Sequence, residues 1–311
     1  MSKYLVTGGA GFIGSHIVER LVKLGQDVRV LDNFSCGKEE NLKGSINKIE
    51  LIKADIRDAD AVNRAVLGVD FVLHQAALRS VPKSLSNPSD YNAVNIDGTL
   101  NLLEAAGQAK VKRFVFASSC AIYGVNHKFP QEESDLPKLI SPYALTKLTG
   151  EYYCRIFSKN YGLETVSLRY FNVFGPRQAL DDEYSAVIPK FITCILNNQP
   201  PPIHGSGKQS RDFIYIDNVV EANILATKIA NIESQVINVA NGKDYSILDL
   251  VALLNKIMGK SIKPIFTPPR PGDVLKALAD ISKAKKILKY KPKVNFEQGL
   301  KRTLEWFQKN K

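Results

Sequence analysis

Cysteine is scarce in this 311-residue sequence, which has four: Cys36, Cys120, Cys154 and Cys194. They are far apart, they form no CxxC pair, and no pair of histidines accompanies them. The sequence therefore offers no zinc site and no redox motif. A disulfide framework is not expected either, because a chain of this length buries a sizeable core without cross-links. We expect no metal site.

Long apolar runs are also missing, since no segment reaches the roughly 18 residues of a membrane span. Met1 leads directly into a strand-like run at residues 4–6, so no signal peptide is expected. Glycine (20), proline (15) and charged residues (23%) occur at ordinary levels, which excludes collagen-like and disordered chains. These absences predict a cytoplasmic globular protein without membrane attachment.

Acidic residues are in deficit, because 31 Asp and Glu face 42 Lys and Arg for a net charge of +11. Such an excess suits either a nucleic acid or an anionic small molecule. Seven of the lysines lie between residues 276 and 293, without the interleaved aromatic residues of a single-strand binder. We interpret this stretch as a solvated surface and expect no nucleic-acid partner.

Strand-like and helix-like segments alternate in the first half of the chain. The β-branched runs are residues 4–7, 28–32, 49–53, 71–74, 113–118 and 165–169. After about residue 170, Gly- and Pro-rich loops separate amphipathic stretches such as 248–258 and 281–288. The alternation predicts an α/β fold with a Rossmann-type, doubly wound parallel sheet over residues 1–169. A smaller C-terminal α/β substrate domain is expected over 170–311, with some segments returning to the Rossmann sheet.

A glycine-rich segment, TGGAGFIG at residues 7–14, lies between the first strand and the first helix. Gly9, Gly11 and Gly14 satisfy G-x-G-x-x-G, and Gly8, Gly11 and Gly14 satisfy the related T-G-x-x-G-x-x-G. Glycines allow a tight turn and a close approach to a pyrophosphate, and the helix N-terminus supplies N–H donors. Three glycines can also simply form a turn. The strand before them and the helix after them favour a dinucleotide site.

The second strand ends at Asp32, 21 residues after Gly11 and close to the expected spacing of a ribose-binding carboxylate. A carboxylate accepts the 2′-hydroxyl of NAD and repels a 2′-phosphate, and no arginine adjoins it. A plain turn residue is the alternative for Asp32, but the spacing favours NAD. Asp55, with Ile56, is a weaker candidate for the adenine edge, since a helix N-cap would look the same.

The segment SPYALTK at residues 141–147 contains Y-x-x-x-K. Ser141 as N-cap, followed by proline, begins a helix and places Tyr143 and Lys147 one turn apart on one face. A nearby ammonium and a positive nicotinamide ring both favour the phenolate, and lowering the tyrosine pKa by about 3 units needs about 4 kcal/mol. A helix-surface pair is the alternative, but the glycine segment favours catalysis. Ser118 and Ser119 end the fifth strand, where they either meet a substrate hydroxyl or only satisfy loop backbone.

These segments resemble one family along nearly the whole chain: the extended short-chain dehydrogenase/reductases, and within it the nucleotide-sugar epimerases and dehydratases. The motifs that carry the resemblance are TGGAGFIG, LDNFSCGK, ADIRD, HQAA, VNIDGT, SSCAIYG, SPYALTK, RYFNVFGPRQ, GSGKQSRDFIYIDN and RPGDV. The resemblance implies that Ser119 is the catalytic serine, that Tyr143 is the acid/base and that Lys147 is its partner. It also implies a homodimer through two helices, expected near residues 96–108 and 143–159.

The same resemblance implies two sets of binding residues. The NAD-binding residues are Gly8, Gly11, Phe12, Ile13, Gly14, Asp32, Asn33, Asp55, Ile56, Gln75, Ala76, Ala77, Asn95, Tyr143 and Lys147. The residues for a UDP-sugar are Ser80, Ser119, Tyr143, Asn172, Ala186, Val187, Arg211, Arg270, Asp273 and Ala277. Arginine forks suit a pyrophosphate, although a surface ion pair is the alternative for Arg211 and Arg270.

In such enzymes a tyrosine phenolate takes the proton from sugar O4 while a hydride passes from C4 to NAD⁺. An epimerase returns the hydride to the other face, whereas a 4,6-dehydratase needs two further acid/base groups. Dehydratases look like Thr-Asp-Glu where this chain has Ser119, Cys120 and Ala121, which favours 4-epimerisation. A non-catalytic NAD-sensing regulator on the same fold is the alternative of a different class; such proteins commonly lack the Tyr/Lys pair.

The resemblance is closest to UDP-N-acetylglucosamine (UDP-GlcNAc) 4-epimerases, through AVIPKF, QSRDFIYIDN and RPGDVLKALADISKAKKIL. Ala277 takes the position against the sugar's C2 substituent, where tyrosine marks plain hexoses and a small residue marks N-acetyl tolerance. This implies UDP-GlcNAc and UDP-GalNAc as substrates, with UDP-glucose or a UDP-uronate as alternatives. Arg79 stands where those enzymes look like they carry glycine, and it either admits a uronate carboxylate or pairs with a surface acid.

Overall fold

A computed structural model describes residues 1–179, 187–230, 232–269 and 274–310. Its strands are β1 Lys3–Thr7, β2 Asp27–Asp32, β3 Glu50–Lys53, β4 Phe71–His74, β5 Arg113–Ser119, β6 Thr165–Tyr170, β7 Asn172–Phe174, β8 Pro202–His204, β9 Ser210–Tyr215, β10 Gln235–Val239, β11 Asp244–Ser246, β12 Ile265–Thr267 and β13 Lys276–Ala277. Its α-helices are α1 Phe12–Lys23, α2 Ala59–Val66, α3 Val81–Ser86, α4 Pro88–Asn92, α5 Gly98–Gln108, α6 Pro142–Tyr161, α7 Val187–Leu196, α8 Ile216–Lys228, α9 Ile247–Met258, α10 Ser282–Ile287 and α11 Phe296–Lys309.

The central sheet has seven parallel strands in the order β10-β6-β5-β4-β1-β2-β3. From β1 the chain continues through β2 and β3 toward one edge of the sheet, and from β4 it continues through β5 and β6 toward the other edge. The order of the strands therefore reverses between β1 and β4. Ligands of open α/β sheets bind beyond the strand ends at such a switch point. The predicted Rossmann-type fold is confirmed, and the glycine segment after β1 lies at this point.

Helices cover both faces of the central sheet, with α1 and α8 packed together and α2, α5 and α6 forming a second group. Strand β1 shows how the two cores are divided, because successive side chains point to opposite faces. Val6 joins the core that contains Ile17 and Leu21 of α1. Leu5 joins the core on the other face, with Leu102 of α5. Ile17 and Leu21, which are four residues apart, therefore lie on the buried face of α1.

The second half of the chain builds a smaller sheet around β9. Strand β11 pairs with β9 antiparallel, while β7 and β13 pair with it in parallel. Strands β8 and β12 form a separate parallel pair. Strand β10 instead lies beside β6 at the edge of the central sheet. Within the described residues, none of the helices combines the length and the hydropathy that crossing a bilayer requires.

The predicted element ends agree closely with the structure where the sequence signal is local. The run predicted at 113–118 forms β5 at Arg113–Ser119, and the run predicted at 49–53 forms β3 at Glu50–Lys53. Ser141 caps α6 as predicted, since its Oγ accepts a hydrogen bond from the Ala144 backbone N–H at 3.2 Å. The helix that carries Tyr143 and Lys147 therefore begins where the capping signal places it.

Candidate active site

The glycine segment after β1 forms a turn that side chains would obstruct. Gly8 has a φ of +66°, and a Cβ there would lie 2.7 Å from the backbone nitrogen of Ala76. A Cβ on Gly14 would lie 2.1 Å from the Gly8 carbonyl oxygen. The first turn of α1 consequently packs directly on the loop, which leaves its backbone facing an open cavity of about 710 Å³.

This first cavity contains almost the complete predicted NAD-binding set. Its lining includes Gly8, Gly11, Phe12, Ile13, Gly14, Asp32, Asn33, Asp55, Ile56, Gln75, Ala76, Ala77, Tyr143 and Lys147. Asn95 is not among the described lining residues. Its side chain is buried and holds the backbone of Leu78 through two hydrogen bonds, at 2.8 and 2.9 Å. Asn95 thus positions the chain after β4, and direct contact with NAD stays a prediction for it.

Asp32 closes one end of the first cavity and is only 7% exposed. Its carboxylate accepts backbone hydrogen bonds from Ala10 at 2.9 Å and from Phe34 at 2.8 Å, which fix its orientation. The cavity therefore offers a helix N-terminus that is preceded by glycine, near one carboxylate at the end of β2. This donor set fits a dinucleotide with a free ribose 2′-hydroxyl.

Asp55 is held by a residue that the sequence analysis missed. The guanidinium of Arg57 donates to both carboxylate oxygens at 2.9 Å, and the Asn33 side chain donates at 2.7 Å. The Arg57 hydrogen bonds lower the pKa of Asp55 to about 2. Arg57 also lines the first cavity. Because the Arg57 guanidinium pairs with the Asp55 carboxylate, it partly neutralises the negative charge in this part of the cavity.

Tyr143 and Lys147 lie on one face of α6, as their spacing predicts. The Lys147 side chain is buried, its Nζ lies 6.0 Å from the Tyr143 ring centroid, and it donates a hydrogen bond to the Ala117 carbonyl at 2.8 Å. The Ser119 side chain interacts with the Tyr143 hydroxyl and favours its phenolate form. Tyr91 packs edge-on against Tyr143, with ring centroids 6.4 Å apart. We call Tyr143 and Lys147 the dyad. Contacts with the Ala117 carbonyl, the Tyr91 ring and the Ser119 side chain hold the two side chains in one arrangement.

Burial shifts the pKa values of both members of the dyad. It raises the pKa of Tyr143 to about 12, against the hydrogen bond from Ser119 and the positive charge of Arg79, which lower it. Burial lowers the pKa of Lys147 to about 7. The expected lowering of the tyrosine pKa is therefore not supplied by the protein's own side chains, because desolvation outweighs them.

The two serines at the end of β5 have different partners. Ser119 Oγ accepts the backbone N–H of Ala121 at 3.1 Å and reaches Tyr143. Ser118 Oγ instead donates to the buried carboxylate of Glu151 at 2.5 Å. Glu151 forms a two-pronged ion pair with Arg169, at 2.8 Å in both contacts. Of these two serines, Ser119 is therefore the one that interacts with the Tyr143 hydroxyl. The ion pair was missed, although Glu151 lies one helical turn beyond Lys147.

A second cavity of about 790 Å³ lies between the central sheet and the smaller sheet. From the predicted UDP-sugar set, its lining includes Ser119, Tyr143, Asn172, Val187, Arg211 and Ala277. Arg211 on β9 and Ala277 on β13 are direct register partners. The described lining does not include Ser80, whose Oγ accepts the Lys83 backbone N–H at 3.4 Å and caps α3. Ala186, Arg270 and Asp273 lie outside the described residues.

The two cavities meet at a junction, which we define as the described residues that line both: Arg79, Tyr143, Tyr170, Val173 and Gln178. Sequence reasoning found Tyr143 and Arg79 but missed the other three. The Tyr170 hydroxyl donates a hydrogen bond to Gln75 Oε1 at 3.2 Å and accepts one from the Asn223 side-chain amide at 2.8 Å. A ligand in each cavity would meet at the Tyr143 hydroxyl, which suits a transfer between two bound molecules.

The model of the NAD dependent epimerase/dehydratase family matches residues 4–240 of this chain. The chain belongs to this family. The family uses NAD, the dinucleotide for which the glycine turn and Asp32 of the first cavity are suited. In this family member, the second cavity adjoins the first cavity at Tyr143.

Solved structures of similar proteins cover this family member almost completely. The UDP-N-acetylglucosamine 4-epimerase from Methanobrevibacter ruminantium M1, in complex with UDP-N-acetylmuramic acid, is 43% identical with a TM-score of 0.96, over 100% of this chain and 99% of that chain. The UDP-glucose 4-epimerase from Thermotoga maritima, with UDP-glucose, is 41% identical with a TM-score of 0.94, over 99% of each chain. The UDP-glucuronic acid 4-epimerase from Bacillus cereus, with UDP-glucuronic acid and NAD, is 35% identical with a TM-score of 0.93, over 99% of this chain and 100% of that chain.

Proposed function

We propose that this enzyme interconverts the C4 epimers of UDP-sugars and that UDP-GlcNAc and UDP-GalNAc are among its substrates. One observation carries the proposal: Tyr143 lies at the junction of the first and second cavities, and the side chain of Ser119 interacts with its hydroxyl. All three similar structures described above are 4-epimerases, but they differ in the sugar. The choice of sugar therefore rests on this chain's own residues.

In the proposed reaction, the Tyr143 phenolate takes the proton from sugar O4 and later returns it to the same oxygen. The Ser119 hydroxyl orients that oxygen, and Lys147 favours the phenolate electrostatically. Bound NAD⁺, held by the glycine turn and Asp32, would supply the hydride acceptor and donor at C4. Rotation of the 4-keto sugar between the two hydride transfers exposes its other face and inverts C4.

The residues after Ser119 favour epimerisation over dehydration. A 4,6-dehydration needs an acid/base pair for the C5 proton and the C6 hydroxyl, but Cys120 and Ala121 carry no carboxyl group. Cys120 lines the second cavity, and burial raises the pKa of its thiol to about 12. The thiol therefore stays neutral at physiological pH and does not replace a general base.

The proposed reaction is tested by incubating the protein with UDP-GlcNAc, UDP-Glc, UDP-GlcA and UDP-GlcNAcA and reading C4 configuration by NMR. We expect the two C4 epimers to reach equilibrium without accumulation of NADH, because each hydride returns to the sugar. Stoichiometric release of NADH would indicate a dehydrogenase. NAD binding without turnover of any UDP-sugar would favour the regulator alternative.

Ala277 is the proposed gate for the C2 substituent, and its replacement by tyrosine tests this role. Ala277 is 5% exposed and packs with Tyr123 and Phe171 while lining the second cavity. Because interiors are close-packed, a tyrosine ring would take the space of an acetamido group. We expect Ala277→Tyr to lower kcat/KM for UDP-GlcNAc by roughly 10- to 100-fold more than for UDP-Glc.

Ala277→Ser is the matched control, because it changes the same position with almost no change in volume. We expect the ratio of kcat/KM for UDP-GlcNAc to kcat/KM for UDP-Glc to be the same in Ala277→Ser as in wild type. Equal losses on UDP-GlcNAc and UDP-Glc in Ala277→Tyr would show that this position does not select the sugar.

We also propose a homodimer through α5 and α6. Three apolar side chains of α6, Leu145, Tyr152 and Ile156, are about half exposed and lie on one helical face. An unpartnered apolar face of this kind is typical of an interface. Sedimentation velocity measures the assembly directly, and a monomeric mass would contradict the proposal. The cytoplasmic location and the absence of a nucleic-acid partner stay predictions.

A further inference from the structure

A cation lies at the point where the two cavities meet. Among the described residues that line both cavities, only Arg79 carries a formal charge. Its side chain is exposed, and it has no ion pair or hydrogen bond with another residue of the described ranges. Two other arginines of the first cavity are held by acids, Arg57 by Asp55 and Arg177 by Glu19. Arg79 is thus a guanidinium directed at ligand space.

The orientation of the substrate decides what Arg79 meets. If sugar O4 reaches Tyr143, the sugar ring occupies the junction, and the diphosphate lies deeper in the second cavity, toward Arg211. The substituents nearest C4 are those on C3 and on C5, which bears C6. A neutral hexose presents only hydroxyl groups there. A carboxylate would give the Arg79 guanidinium a two-pronged, charge-assisted partner.

We propose that Arg79 binds a carboxylate carried by the sugar, so that the enzyme prefers UDP-sugars with a carboxyl group at C6 or on an ether at C3. Both sources place the same anionic group beside C4. This inference rests on the proposed function, because it requires sugar O4 at Tyr143. Together with Ala277, it describes a site for an N-acetylated, carboxylate-bearing UDP-sugar.

The charge of Arg79 has a second effect that the experiment must separate from recognition. Arg79 also lowers the pKa of Tyr143, opposing the effect of burial. Removing its charge therefore weakens the phenolate for every substrate, including neutral ones. The informative quantity is the ratio of kcat/KM for a carboxylate-bearing substrate to kcat/KM for its neutral counterpart, because a general effect on Tyr143 cancels in it.

The test measures this ratio in wild type, Arg79→Gln and Arg79→Lys with three probes: UDP-GlcNAc, its C6 uronate, and UDP-N-acetylmuramic acid. We expect wild type to favour a carboxylate-bearing probe and Arg79→Gln to lower the ratio by roughly 10- to 100-fold, mainly through KM. Arg79→Lys keeps the charge without the fork and should recover part of the ratio. Lys83→Gln, which removes an exposed cation of α3 that lines neither described cavity, should leave the ratio unchanged.

Calorimetric binding in a Tyr143→Phe background gives the same comparison without turnover. A tenfold or greater weakening of carboxylate binding in Arg79→Gln, relative to UDP-GlcNAc, supports the inference. A loss confined to the uronate assigns the C6 carboxylate, and a loss confined to the muramic acid assigns the C3 ether. An unchanged ratio in both measurements overturns the inference but leaves 4-epimerisation intact. Absence of turnover on every probe, with binding ratios that still depend on Arg79, would instead contradict the proposed function alone.

Discussion

Replacing Tyr143 by phenylalanine is expected to lower kcat by roughly 10²- to 10⁴-fold, with little change in the affinity for the UDP-sugar. The change removes only the hydroxyl, with which the Ser119 side chain interacts. The ring remains, and so does its edge-on packing against Tyr91 at 6.4 Å. The loss therefore reports proton transfer at O4 rather than a displaced helix. Steady-state kinetics and calorimetry with UDP-GlcNAc separate the two quantities.

Tyr152→Phe is the matched control, because it removes a hydroxyl from an exposed tyrosine on the same helix. It should keep wild-type kcat. Turnover at the wild-type rate by Tyr143→Phe at neutral pH would refute the role of Tyr143 as acid/base. A large loss that is equal in both variants would point to damage to α6 instead.

Local sequence signals were sufficient for six of the seven strands of the central sheet and for most of the first cavity, whereas β10 was expected only as a C-terminal segment that returns to this sheet. Each of these six strands is a short run with at least one β-branched residue, and the turn after β1 requires Gly8 and Gly14 because a Cβ would collide with backbone. Asp32 and the capped start of α6 are also readable from neighbouring residues. Pattern and spacing predict these features, although the backbone that a Cβ on Gly8 would meet belongs to Ala76, far along the chain.

The parts of the site that the sequence did not predict arise from contacts between distant segments. Tyr170 at the end of β6 and Gln178 after β7 both line the two cavities, beside residues that are distant in the sequence. The register that sets Ala277 opposite Arg211 joins residues far apart in the chain. Ser80 differs in another way, because its hydroxyl is used locally as a cap for α3, and its contact with the sugar stays a prediction. Spacing in one chain carries no information on such pairings.

The pKa of Tyr143 is the clearest case in which tertiary structure changes an expectation. The helix spacing predicts a nearby ammonium, and Lys147 is present with its Nζ 6.0 Å from the ring centroid. Burial nevertheless raises the pKa of Tyr143 to about 12. Each pKa unit corresponds to about 1.4 kcal/mol, so a phenolate at neutral pH requires roughly 7 kcal/mol of further stabilisation. Lys147 contributes to this only while it is protonated.

Lys147→Met is expected to remove the level part of the pH profile of kcat. Burial lowers the pKa of Lys147 to about 7 and raises that of Tyr143 to about 12. Between these values the wild-type pair holds one proton, and the reactive form has this proton on Lys147 and a phenolate at Tyr143. Below the lower value a second proton must be lost first. Wild-type kcat should therefore fall toward acidic pH and stay level above about pH 7.

In the variant only Tyr143 titrates, so kcat should be at least roughly 100-fold lower at neutral pH and should rise with pH without levelling off. Profiles of kcat between about pH 6 and pH 10 with UDP-GlcNAc distinguish the two shapes. Lys159→Met, at an exposed position in the last turn of α6, is the control and should keep the wild-type profile. A wild-type profile in Lys147→Met would show that the phenolate is stabilised without the Lys147 cation. If kcat of Lys147→Met is low but does not change with pH, Lys147 only orients the site. The protonation of Tyr143 would then not depend on the charge of Lys147.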